Sequence, residues 1–182
     1  MAPFVDTPPP PPSDLTSFIQ SNTPAKSYPH NSHYSNLASQ ILHNLQHQHD
    51  WTSLQTHTHS PVSQSLLPRP LVSGIPPRRI YVHPDEQLEM PKAGIKETDV
   101  PLEREWVLPT HLKEKWSLRK LAEVFDAIGR IPPGGGDEEQ GGDVEDEKTR
   151  RGGKRVLLAT VGDDSTVVYY IIHDGIVKPR QN

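Results

Sequence analysis

Residues 166–173 read Thr-Val-Val-Tyr-Tyr-Ile-Ile-His, and they constrain the fold more than any other segment. Arg155–Val161, almost continuously apolar, precedes them, and Gly162-Asp163-Asp164-Ser165 lies between. Two extended runs joined by a short polar turn read as a hairpin. Strict alternation would leave one face of the returning strand polar. Here Val167, Tyr169 and Ile171 line one face, and Val168, Tyr170 and Ile172 line the other. A strand apolar on both faces needs cover on both. Either it is a central strand between helices, or one face packs on the domain while the other face, or the edge, meets a second subunit. The chain offers two convincing helices and little sequence beyond the strand, so the interface reading is favoured. The hexamer is also uncharged, proline-free and strongly β-forming, an aggregation hazard if left open. Asp163, Asp164 and Asp174 read as its gatekeepers.

Composition explains why so little else is available for cover. Of 182 residues, 32% are in the AVILMFWYC class, and the 12 glycines raise that to roughly 39%. Ordinary globular domains reach ~45–50%. Two stretches hold the deficit. Residues 1–35 carry eight of the 20 prolines, including Pro8 to Pro12, and read as a disordered tail with polyproline character. Residues 132–153 bracket an acidic run with glycines and read as a disordered insertion, tolerated at small entropic cost. Seven carboxylates lie between Asp137 and Glu147, which leaves 16 acids against 19 bases elsewhere. The net −4 of the chain thus hides a slightly basic domain over residues 36–182.

Within that domain, Leu37, Ile41, Leu42 and Leu45 form one apolar stripe of a helix over about residues 36–49. Trp51–Thr56, Leu71–Ile75 and Arg79–His83 are short extended candidates, confined to edges by the prolines among them. Residues 84–104 are polar and carry no clear pattern, and Glu105–Leu108 is a further strand, ended by Pro109. The clearest helix is Ser117–Ile128. Ser117 caps it, Trp116 staples onto Leu121, and Leu118, Leu121, Ala122, Phe125 and Ile128 form its buried face, with Gly129 as the stop. The fold class is mixed α/β: a mixed sheet, two main helices and a C-terminal hairpin.

Candidate chemistry is sparse. The absence of Cys removes disulfides, thiolate zinc sites and thiol nucleophiles. Seven of the ten histidines fall between residues 30 and 59, and His43 and His47 are one helical turn apart. With Gln, Asn and Thr around them, they read as a solvated helix flank rather than a metal site. No phosphate-binding glycine loop, Gly-x-Ser-x-Gly or paired-carboxylate motif occurs, so no cofactor, metal or catalytic residue is assigned. Arg78, Arg79, Lys154, Arg155, Lys178 and Arg180 are candidate RNA contacts. His173 with these basic pairs leaves an autonomous ribonuclease or RNA-binding module as the alternative function. No run approaches the ~18 apolar residues of a membrane span. Met1-Ala-Pro-Phe-Val-Asp lacks the charge and apolar core of a secretory leader.

The hairpin Lys154–Gly175 resembles the C-terminal hairpin of the tRNA-splicing endonuclease family, and the chain is similar to its small non-catalytic subunit in fungal form. Leu37–Asp50, Arg79–Gln87 and Glu105–Ile128 carry the same resemblance, which covers about residues 36–131 and 154–182. It implies the α/β fold of the endonuclease C-terminal domain. It also implies a heterotetramer of two catalytic and two structural subunits that excises introns from precursor tRNA. Catalytic members use a Tyr, a His and a Lys, without metal, through a 2′,3′-cyclic phosphate. Only Lys154 has a positional counterpart here, so the resemblance implies a non-catalytic subunit. It implies, further, that Val167, Val168, Tyr169, Tyr170, Ile171, Ile172 and His173 pair with a partner subunit. Asp163 and Asp164 would enter a basic pocket across the tetramer. Expected partners are the catalytic and structural subunits of the endonuclease, precursor tRNA through the complex, and a second copy when the chain is isolated, with no membrane. The expected location is the nucleus, or the cytoplasmic face of mitochondria as in some yeasts.

Overall fold

A computed structural model describes residues 11–22, 32–96, 100–134 and 153–175. Five strands form one mixed sheet in chain order: β1 (Thr52–His59), β2 (Leu66–Ile75), β3 (Glu105–His111), β4 (Arg155–Val161) and β5 (Val167–His173). All neighbours are antiparallel except β3 and β4, which run parallel and are separated in sequence by helix α4 (Leu118–Ala127). The fold is therefore the expected mixed α/β type.

Two helices cover opposite faces of the sheet. On one, Leu37, Ala38, Ile41 and Leu45 of α2 (Ser32–Gln48) pack on Val72, Val107, Leu157, Ala159 and Val161. On the other, Val124 and Phe125 of α4, with Ile128, pack on Leu67, Leu71, Trp106, Leu108 and Val156. Successive residues of β3 and β4 thus enter different cores, which is why both strands read as apolar throughout.

The α4 helix begins where its cap dictates, with Ser117 Oγ accepting from Lys120 N. Its buried face is rotated from the expected one. Leu121, Val124, Phe125 and Ile128 face the sheet, whereas Ala122 is exposed and Leu118 is 86% exposed. Val124 joins Leu67 and Leu71 of β2 in one buried cluster.

Several local expectations need correction. Arg79–His83 is not a strand. His83 Nδ1 accepts from Asp85 N at 3.3 Å and caps helix α3 (Pro84–Lys92), with Pro84 and the acids Asp85 and Glu86 in its first turn. That order, cap then proline then acids, is a helix start hidden in the unpatterned stretch. Pro109 does not end β3, which runs on to His111. Pairing with β2 stops at Val107, so beyond it β3 has a strand partner on one side only and tolerates a residue without an N–H. By the same logic, Pro68 and Pro70 lie inside β2, outside its short pairing with β3. The tail expected to be disordered contains helix α1 (Asp14–Asn22), which Ser13 caps through Thr16 N. Phe18 of α1 lies edge-on to His43 of α2, 5.1 Å between ring centroids. Most of the acidic insertion, residues 135–152, lies outside the described residues.

Candidate subunit interface and the charged cleft beside it

The two edges of the sheet differ. The β1 edge is polar and breaks register twice, between Thr52 and Gln55 and between His57 and His59. Bulges and polar side chains blunt an edge against further pairing. The β5 edge has neither. Its seven residues pair with β4 in unbroken register, from Val161↔Val167 to Arg155↔His173, and none is Pro, Lys or Arg. Val167 and Tyr169 pack toward the α2 layer and Ile172 toward the α4 layer. Val168 remains 43% exposed, Tyr170 55% and Ile171 37%. Tyr169 is anchored: its hydroxyl donates to Asn44 Oδ1 at 2.5 Å, and burial raises its pKa above the ordinary tyrosine value. The doubly apolar strand is therefore an edge strand, half covered by its own domain. Tyr170 packs into neither of the two helix-lined clusters.

The turn before β5 is built by its own residues. Gly162 N donates to Thr166 O at 2.8 Å, Ser165 N to Gly162 O at 3.0 Å, and Asp164 Oδ1 accepts from Thr166 N at 3.1 Å. A Cβ on Gly162 would come 2.7 Å from Asp164 Oδ1, so a larger residue there would push that carboxylate off Thr166 N. The Thr166 bond holds the Asp164 carboxyl below its usual range. Asp163 is exposed and bonds Lys113 Nζ, while His111 Nε2 stands 3.4 Å away. The Lys113 hydrogen bond, then its charge and that of His111, hold Asp163 low as well. Both aspartates are thus ionised at neutral pH, and Asp163 already has a cationic neighbour within the chain.

At the opposite end of the hairpin lies a cleft of about 430 Å³, lined among others by Arg79, Tyr81, His83, Glu103, Arg130 and Arg155. Tyr81 stands between His173, 4.8 Å between centroids, and the Arg155 guanidinium, 5.6 Å from its ring. Burial, then the charges of Arg155 and His83, keep His173 below the usual histidine pKa. A Tyr, a His and an Arg in one cleft, with His173 against the Tyr, are the residue types of a metal-free phosphodiesterase. Two of its three arginines, however, are engaged. Arg155 donates to Glu105 at 2.5 and 3.1 Å and to Glu103 at 3.1 Å. Arg79 is held by both oxygens of Glu86 at 3.2 Å. Burial lifts Glu105 above the ordinary carboxylate range despite Arg155.

Of the candidate RNA contacts, Arg79 and Arg155 are therefore ion-paired, Lys154 Nζ donates to Phe125 O at 3.1 Å, and Arg78 is exposed. Lys178 and Arg180 lie outside the described residues. Sequence reasoning missed the carboxylates that occupy these arginines. Glu103 and Glu105 are two apart, on one side of an extended segment, and that period was the available signal. Among the histidines, the rings of His43 and His47 lie 4.5 Å apart, and among the described residues no group of three His, Asp or Glu gathers as a metal site would require.

Comparison with known proteins agrees with this architecture. The family model of the Sen15 protein matches residues 40–182. A probable tRNA-splicing endonuclease subunit, tsp-1 of Neurospora crassa, is 50% identical over 105 residues, which is 56% of this chain and 45% of that protein. The chain thus spans under half the length of that curated relative. With the match running from the middle of α2 through the whole sheet and its β4–β5 hairpin, the chain belongs to the Sen15 protein family.

Proposed function

We propose that this chain is a non-catalytic structural subunit of a heterotetrameric tRNA-splicing endonuclease. It supports intron excision from precursor tRNA by pairing β5 with a catalytic subunit, and it works in the nucleus. The unbulged β5 edge carries this reading, since among the described residues Val168, Tyr170 and Ile171 keep exposed apolar area beside an edge that no further strand pairs. The N. crassa relative, a probable endonuclease subunit by name, supports the complex. The cleft supports the structural role, because two of its three guanidinium groups, Arg79 and Arg155, are taken up by carboxylates rather than left to stabilise a pentacovalent phosphate. The Asp163 turn adds specificity rather than affinity, as exposed charges at interfaces do.

The test is co-purification of the tagged chain with the other endonuclease subunits, identified by mass spectrometry. Val168→Asp with Tyr170→Asp should abolish it, because unpaired charges in a desolvated contact cost ~2–5 kcal/mol. The same protein should stay folded, since both side chains are exposed. Undiminished co-purification places the interface elsewhere. Metal-free cleavage of precursor tRNA by the isolated chain, lost on His173→Ala, would establish the autonomous ribonuclease instead.

A further inference from the structure

Of the cations singled out in the sequence, three of the four in the described residues are engaged, and the structure gathers others on a different surface. Lys113, Lys115, Arg119 and Lys120 fall within eight residues, along the β3–α4 connection and the first turn of α4, and all are exposed. The acid in that run is withdrawn: Glu114 turns inward to Arg69 and to Thr110 Oγ1, 2.9 Å away. Lys120 Nζ donates to the Lys115 backbone carbonyl at 3.3 Å, an exposed bond that leaves the ammonium charge unneutralised. Arg119 and Lys120 are also badly placed for the helix itself. The first turn of α4 contains no acid, although the macrodipole favours acids there and disfavours cations. Acids enter α4 later, at Glu123 and Asp126, and Asp163 neutralises only Lys113. What remains is a run of flexible cations on an open surface, shaped to follow a chain of separated negative charges rather than to enclose one small anion.

We propose that Lys115, Arg119 and Lys120 form a phosphate-tracking surface that contacts RNA. The surface stands on its own charges; only the choice of RNA over another polyanion rests on the function proposed above.

The test is fluorescence anisotropy of a labelled oligouridylate titrated with the full chain at several salt concentrations. Three released counterions give a log–log slope of about 2, and therefore about a 15-fold loss of affinity between 50 and 200 mM salt. Lys115→Ser/Arg119→Ser/Lys120→Ser should flatten that loss to under about twofold, and each single change should lower the slope by about 0.7. The single variants serve if the triple variant fails to fold. A wild-type loss below about threefold, or an undiminished slope in the variants, overturns the proposal. So does displacement of the RNA by polyglutamate at equal charge, which would mark a site for an acidic peptide. Val168→Asp/Tyr170→Asp should leave the slope intact, so failure of the strand-pairing reading and failure of this one are read separately.

Discussion

Glu114→Ala tests the most heavily built polar contact of the fold. Arg69 is 6% exposed and Glu114 15%. The guanidinium bonds Glu114, donates to Pro109 O at 2.7 Å, and lies 4.1 Å from the Tyr34 ring and 4.7 Å from the Trp116 ring. Thr110 Oγ1 donates to Glu114 at 2.9 Å and accepts from Trp116 Nε1 at 2.8 Å. One charge pair therefore ties α2, β2, β3 and the approach to α4. Removing one partner of a buried pair typically costs ~3–5 kcal/mol, because the other charge is left in low dielectric. The two rings retain ~0.5–2 kcal/mol each for the orphaned guanidinium, so we expect a loss of ~2–3 kcal/mol. Urea unfolding at pH 7, followed by tryptophan fluorescence, measures it. Adding Arg69→Met should recover part of the loss by removing the orphan charge. A loss below ~0.5 kcal/mol would refute the reasoning, since that is what an exposed pair gives. Equal instability of the single and double variants would mean that packing, not charge, was lost. Burial pushes the Glu114 carboxyl up, but the Arg69 bond and charge, with Thr110, bring it below its ordinary value. Its stabilisation is therefore complete above the unfolded value of ~4.3 and lost as pH falls through the lower folded value. Glu114→Ala should flatten that acid limb.

Gly74→Ala should destabilise the fold by ~1–3 kcal/mol in the same assay, because the new Cβ would lie 2.6 Å from Leu54 Cδ2, 3.1 Å from Trp51 Cε3 and 3.2 Å from Thr52 O. His57, bonded to Ser73 Oγ at 2.7 Å, has its pKa depressed by burial and then by Arg104. The unfolded chain takes up that proton first, so stability should decline as pH falls below ~6.5, and His57→Gln should make the decline shallower.

Where a residue's role was set by its near neighbours, the sequence was legible. Arg155–Val161, the Gly162–Ser165 turn and the Ser117 cap all stand as read. Elements whose limits depend on which side of a strand is occupied were not. Pro109 and the Pro68–Pro70 pair sit within strands because neighbouring pairing ends before them, and no local rule carries that information. Arg79–His83 has strand composition, yet His83 caps a helix and Arg79 is drawn to Glu86. Likewise Leu118 fits an amphipathic stripe on paper, but α4 turns it to water and buries Val124 against Leu67 and Leu71 of β2 instead.

The same division runs through the candidate interface. From sequence alone, the last strand had to be apolar on both faces and therefore short of cover, since alternation of side chains is a covalent property of extended backbone. Only the tertiary structure decided that it is an edge, that Tyr169 is anchored to Asn44 while Tyr170 faces water, and that Arg79 and Arg155 are occupied by carboxylates. Those outcomes depend on which distant segments meet, and a free energy of contact between residues 125 positions apart, as for Asn44 and Tyr169, leaves no trace in the spacing of either.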